Sequence, residues 1–594
     1  MSLMFNRRQA AAAALLTPLV LRDAAAAAPA AGSFDAWSDA FAADWVRLSA
    51  EGATFSQFFS GAEQAAFERE LTPNTPAQRD KRNALARRGL AELARLDAAA
   101  FTPTQRVGAA TLRWSLERTL AAVPFEDTFY GFSQQWGVQV RYVNLLTQTQ
   151  NLRKPSDVDA YLSRLSQVGT RILEALERER ESAAKGFLPP RFILERTRDQ
   201  VKAFLAPAVV QNEFVTALMR KTETMAGLSA EDRQKAIDTA VKLVAEQVRP
   251  AYLQVLKWMD EVHPRTTADA GLWRFPNGAA AYAQALANNT TTAMTADEIH
   301  AVGLREVARI EAEMDRVLRD LGRREGTVEQ RMNALRKELQ PPAEPDPRPM
   351  ILARYADAVR DAERRAQQLF NLQPAAPVEV RRVPALTERT TSAYYTTPAP
   401  DGSRPGIFWA PLPGPDYDML RIRSLAVHEA VPGHHFQLAL QQEQRDLPLW
   451  RQRRVFGGGS AHSEGWGLYA ERLALDNGWY DGDPHALLGG LDGQLFRARR
   501  LVVDTGLHTQ RWTREQAIAY GLPAHEVERY VSNPGQACAY MIGMLHMLAL
   551  RDQTQKALGA RFRIKDFHDV VLKTGSVPLE VLSDVVRRWA ATVP

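Results

Sequence analysis

The chain has one cysteine, Cys538, in 594 residues, and that scarcity removes two architectures at once. An intrachain disulfide needs two thiols, and a thiolate zinc cluster needs several. Any metal held by this chain must therefore sit on histidine, aspartate or glutamate. Long apolar runs are missing too. The most apolar stretch, Ala10 to Leu21, has 12 residues, short of the roughly 20 that a membrane-spanning helix needs. Nor is there charge of one sign: 74 lysines and arginines face 69 acidic residues, and the +5 excess is spread over short mixed stretches. Without a basic block, no nucleic-acid partner is expected. Histidine is scarce at 11, yet His428, His434, His435 and His462 fall close together.

What is present points to a large, mostly α enzyme fold. At 45% hydrophobic residues the chain can bury a sizeable core. Residues 1–31 read as an export signal: Asn6-Arg7-Arg8-Gln9, the apolar stretch, then an alanine-rich run to Ala31. The paired Arg7-Arg8 suggests the twin-arginine route, although Ala10 and Ala11 stand where that signal has bulky residues. The mature protein is expected in the periplasm, with no stable membrane insertion after signal removal.

Residues 32–340 carry apolar positions at helical spacing. Thr295-Ala-Asp-Glu298 is a capping box that opens a helix with Ile299, Val302, Val307, Ile310, Met314, Val317 and Leu321 on its apolar side. Gln340 to Pro349 is half proline and reads as a linker or surface loop. In residues 350–594, Val378–Val383, Thr390–Thr397 and Gly406–Trp409 predict a small β-sheet ahead of the motif helix. From Leu420 onward the pattern is helical again, and the two parts are expected to form one continuous enzyme fold.

The run His428-Glu429-Ala-Val-Pro-Gly-His434-His435 carries the chemistry. In the common His-Glu-x-x-His arrangement, two histidines about 40° apart on one helix face hold zinc and the glutamate serves as base toward water. Here the later histidines come six and seven residues after His428. On an unbroken helix that is a rise of roughly 9 to 10.5 Å, too far for one ion with bonds near 2 Å. Pro432 has no NH to offer the carbonyl of His428, and Gly433 tolerates unusual dihedrals. A bulge between Glu429 and His434 is therefore predicted, one that brings His434 or His435 back to the metal. A catalytic zinc wants a third protein ligand. Glu464 and Glu471, seven apart on one helix face after Gly457-Gly-Gly459, are the candidates. Isolated histidines such as His263, His300, His485 and His568 read as ordinary residues. Cys538, in an apolar stretch, reads as a core thiol rather than a nucleophile.

His428-Glu-Ala-Val-Pro-Gly-His-His435, Glu464-Gly-Trp-Gly-Leu-Tyr-Ala-Glu471 and Asn533-Pro-Gly-Gln-Ala-Cys-Ala-Tyr540 together resemble the domain-of-unknown-function-885 family of predicted zinc metallopeptidases. The resemblance extends upstream through Leu272–Gly278, Thr290–Thr292 and Asp401–Pro405. It implies a large helical metallopeptidase-like fold, akin to thermostable carboxypeptidases and thimet-type oligopeptidases, with the site in a deep channel between helical halves. It also implies His428, His434 and Glu464 as ligands of one Zn2+ and Glu429 as base, and it favours His434 over His435. Pro411 departs from the family pattern, which more often has a polar residue there.

The activity expected is hydrolysis of peptide bonds in small peptides. Glu429 would take a proton from a metal-activated water and pass it to the leaving amine, and the Tyr540 phenol would donate to the oxyanion. A strand at Tyr394 and Tyr395 could pair with an extended peptide. The same chemistry suits an amidase or esterase acting on a small molecule. A noncatalytic peptide-binding protein and a purely structural helical protein are rivals of another class, against which the intact Glu429 speaks.

Overall fold

A computed structural model describes residues 34–383, 388, 392–400, 402, 404–457 and 459–594. The expected export signal lies outside them, as do Thr390, Thr391 and Asp401 of the expected sheet and turn. The chain is mostly helical with one small sheet. The helices that frame the site are labelled in chain order: α1 (Phe34–Arg47), α2 (Pro76–Leu93), α3 (Pro103–Ala121), α4 (Pro155–Ala184), α5 (Gly278–Thr290), α6 (Ala296–Asp320), α7 (Arg348–Ala366), α8 (Ile422–Glu429), α9 (His434–Glu443), α10 (Gly459–Asp476), α11 (Pro484–Thr509) and α12 (Ala539–Leu558).

Local chemistry accounts for many of the boundaries. α2, α3 and α4 each start on a proline, which loses nothing where the first NH has no partner. The capping box of α6 forms as predicted: the NH of Glu298 donates to Thr295 Oγ1 at 3.3 Å, and the NH of Thr295 donates to Glu298 Oε2 at 2.8 Å. Of its apolar positions, Ile299, Val307, Ile310, Met314 and Val317 are buried, while Val302 and Leu321 are half-buried at the margins.

The apolar side chains gather into separate cores. One is built wholly from residues 71–262 around α4. A smaller one joins α1 to α3 with Trp450 and Phe456 of the later chain. The largest runs from Leu272 to Val586 and contains the site. Gln340–Pro349 is mostly exposed, and Met332 and Leu335 before it share this largest core with Ile351 and Tyr355 of α7 after it.

The sheet has three strands, β1 (Val378–Arg382), β2 (Tyr394–Thr396) and β3 (Gly406–Ala410), in the order β1-β3-β2. β3 runs parallel to β1, with Val380 opposite Phe408, and antiparallel to β2, with Tyr395 opposite Phe408. The central strand is buried at every position but Trp409, which matches its unbroken apolar sequence. β2 is an edge strand among the described residues.

Candidate metal centre

The motif run forms two helices instead of one bulged helix. α8 stops at Glu429, α9 starts at His434, and Ala430–Gly433 bridge them through a cis Val431–Pro432 bond. The expected bulge is thus a full break. Pro432 can neither donate to the preceding turn nor clear its carbonyl. At Gly433 a Cβ would lie 1.9 Å from the carbonyl oxygen of His428, so only glycine fits the turn. The break shortens the distance that an unbroken helix would impose. The rings of His428 and His434 meet edge to face with centroids 4.8 Å apart. Their Nε2 atoms lie 3.7 and 3.4 Å from Glu464 Oε2.

Each residue of Glu464-Gly-Trp-Gly467 on α10 has a physical task. Glu464 closes the triad. At Gly465 a Cβ would meet Gly543 Cα of α12 at 2.5 Å, so the two helices cross backbone to backbone. Trp466, fully buried, donates its indole NH to the carbonyl of Pro432 at 2.8 Å and so pins the break. Gly467 leaves room for the His428 imidazole, whose Cε1 would lie 2.7 Å from a Cβ there. One turn on, Glu471 Oε1 pairs with His428 Nδ1 at 2.8 Å and is approached by Arg497 at 3.6 Å. Of the two glutamates, Glu464 therefore faces the open side of the triad. Glu471 sits behind His428, where a carboxylate fixes the ring and directs Nε2 outward.

Electrostatics follow from this packing. Burial works against a charged His428, but the carboxylates of Glu464 and Glu471 on either side outweigh it and push its pKa up to about 9. Glu464 is held well below the usual carboxylate range: burial opposes this, and His428 and His434 prevail. Glu429 is buried, and its pKa is raised by that burial and by Glu464, while the two histidines pull it down. No described residue hydrogen-bonds its carboxylate.

One ligand atom from each of His428, His434 and Glu464 lies within 4.8 Å of the others. Two imidazole nitrogens and a carboxylate oxygen, converging with Glu429 beside them, fit the donor set of a divalent metal with a coordination position left open.

Most other residues singled out in the sequence go elsewhere. His435 turns toward the sheet, with Nδ1 2.8 Å from the Tyr395 hydroxyl, and burial lowers its pKa to about 4. His462, one of the crowded four, is fully buried and accepts the NH of Val577. His263, His300 and His568 bond to Glu195, Thr505 and Tyr469 respectively. Cys538 is buried in the core. Tyr540 is half-buried beside the centre, close enough to Glu464 that burial and that carboxylate together raise its pKa. Its ring stacks on the Arg500 guanidinium at 4.6 Å. Arg497 and Arg500 were not picked out from sequence, since arginines at helical spacing on α11 look like any solvated face.

Comparison with known proteins agrees in fold. No curated protein matches the chain. Among solved structures it is similar to a "putative lipoprotein" from Colwellia psychrerythraea, at 29% identity and a TM-score of 0.86, over 93% of this chain and 99% of that one. It is also similar to a "putative lipoprotein of unknown function" from Shewanella oneidensis, at 19% identity and a TM-score of 0.71, over 94% and 100% of the two chains, a likeness of fold alone. Residues 56–586 match the family model described as "Bacterial protein of unknown function (DUF885)", a span that includes the break at Pro432, the Glu464 helix and Tyr540, so the chain belongs to that family.

Proposed function

We propose that the protein is a metal-dependent hydrolase, a peptidase that cleaves peptide bonds in small peptides with a single zinc ion. The observation that carries this reading is the placement of Glu429, buried and with no hydrogen-bond partner for its carboxylate among the described residues, next to the converging His428, His434 and Glu464. A zinc ion held by these three would supply Lewis acidity, making water acidic and a carbonyl carbon electrophilic. Glu429, its pKa raised by burial, takes the water's proton and passes it to the leaving nitrogen. Tyr540 carries a phenol that burial keeps protonated, so it donates a hydrogen bond to the developing oxyanion without bringing charge. Glu471 keeps the His428 ring in place, with Nδ1 on the carboxylate side.

A peptide is favoured over a small ester or amide by β2. This edge strand is tied through Tyr395 to His435, the neighbour of His434. An extended substrate can add to such an edge through backbone hydrogen bonds. The protein is proposed to act in the periplasm. The apolar segment within residues 1–31 is proposed to act as a cleaved export signal. Among the described residues no helix is long and apolar enough to cross a membrane.

The test is metal content and peptide hydrolysis of the purified protein beside Glu429→Gln. The variant is expected to keep its metal and lose hydrolysis by roughly 100-fold or more. Full activity in the variant, or hydrolysis by the parent that survives metal removal, overturns the reading.

A further inference from the structure

A cavity of about 600 Å³ lies between the helices of the N-terminal part and the metal-bearing part. Four aromatic side chains, Trp45, Trp114, Phe129 and Phe456, form much of its wall. Arg82 and Arg118 supply its charge, and none of the described residues lining it is an aspartate or glutamate. Arg82 pairs with Glu126 at 3.3 Å, a carboxylate that it shares with Arg79. Arg118 differs: its guanidinium bonds only the neutral Gln284, from Nη1 to Oε1 at 3.2 Å, and its Nε is buried without a partner. Among the described residues this half-buried guanidinium has no counter-ion, and in an aromatic cavity it suits one carboxylate attached to an apolar group.

The cavity shares a helix with the candidate metal centre. Gly459 lines it and opens α10, which presents Glu464 five residues later, a rise of about 7.5 Å. Pro534, in the turn that leads to Tyr540, lines it as well, and its carbonyl accepts from Asn289 at 3.3 Å. We propose that this cavity receives the carboxyl-terminal end of a short peptide. Arg118 pairs with the free α-carboxylate, the aromatic walls hold the terminal side chains, and a cavity of this size has room for roughly two or three residues before the scissile bond. The enzyme then removes short fragments from peptide carboxyl termini. This deepens the peptidase reading and rests on it for the reaction, but the binding site is tested without turnover.

The experiment is titration calorimetry on full-length Glu429→Gln protein with the tripeptide Ala-Ala-Phe and with its carboxyl-terminal amide. The free acid is expected to bind roughly tenfold or more tightly than the amide, as befits a charge-assisted hydrogen bond. Adding Arg118→Met is expected to bring the acid down to the amide's affinity, whereas adding Arg82→Met preserves the preference. Equal binding of acid and amide, no binding of either, or a preference that survives Arg118→Met overturns the proposal. So does inorganic phosphate displacing the tripeptide more strongly than acetate does, which assigns the guanidinium to a phosphate ligand. Should Arg118→Met fail to fold, Phe129→Asp at the exposed lip is expected to weaken the acid more than the amide, and equal weakening of both overturns it. If the parent protein hydrolyses no peptide while the acid preference stands, the peptidase reading fails and the carboxylate site remains.

Discussion

Replacing Gly467 by alanine probes the candidate metal centre where α10 passes closest to His428. The new Cβ would lie 2.7 Å from Cε1, 2.9 Å from Nε2 and 3.0 Å from Nδ1 of the imidazole. Ordinary carbon contacts sit at about 3.5 to 4.0 Å, so the ring must retreat by roughly 0.8 Å. It has little freedom to do so, because its Nδ1 is anchored 2.8 Å from Glu471. Overpacking of this kind costs about 1 to 3 kcal/mol, and the better helix propensity of alanine returns about 1 kcal/mol. The melting temperature of the metal-free protein is therefore expected to change little. Metal affinity is far more sensitive, since ligand positions tolerate only about 0.2 Å. Displacing the ring and loosening its carboxylate partner is expected to weaken zinc roughly 10- to 100-fold, measured by competition with a chelator of known affinity. An unchanged zinc affinity in Gly467→Ala would refute His428 as a ligand.

Three further outcomes are expected. His434→Ala loses bound metal and His435→Ala keeps it, because only the former faces Glu464; elemental analysis of the two purified variants decides this, and the reverse result moves the ligand to His435. Trp466→Phe removes the indole donor from the buried carbonyl of Pro432, at a cost of about 1 to 3 kcal/mol in thermal or denaturant unfolding; an unchanged midpoint would mean that the break holds without the pin. Burial raises the Asp504 carboxyl to about 7, beside the hydroxyl of Tyr282 and the NH of Gly535. A folded-state pKa above the unfolded value near 3.9 gives stability that is full below that value and is lost as pH rises through about 7. Asp504→Asn cannot ionise, so its stability relative to the parent is expected to improve by a few kcal/mol between pH 4 and pH 8, and a constant difference between two denaturant titrations would contradict the assignment.

Much of the architecture was legible because the cause was local. Thr295 and Glu298 cap α6 through three residues of contiguous chain, and the residues that follow them declare which face is buried. The apolar run Gly406–Trp409 reads as part of a small sheet, and the strand Gly406–Ala410 forms there. Pro432 and Gly433 announce that no regular helix passes through the motif. They did not reveal whether the chain bulges or breaks, because both outcomes relieve the same clash. The proline-rich stretch at 340–349 reads as a linker or surface loop, and residues on both sides of it share one core. Composition reports on flexibility, not on which surfaces meet.

The sequence by itself determined the inventory at the candidate site: three histidines and a glutamate at an irregular spacing, two glutamates on one helix face downstream, and a single cysteine, too few for a thiolate cluster. Only the tertiary structure assigned the parts. Glu464 and Glu471 lie on one helix face and look equivalent along the chain, but the depth at which α10 packs against α8 sends one to the open side of His428 and the other behind it. His434 and His435 are adjacent, and the direction in which α9 leaves the break turns one toward Glu464 and the other toward Tyr395. Tyr540 reaches the centre because Gly465 and Gly543 let two helices, far apart in sequence, cross without side chains between them. Arg118 acquires its unpaired charge only once α3 closes over the approach to α10. These outcomes depend on which surfaces meet across tens or hundreds of residues, and local propensities carry no record of that.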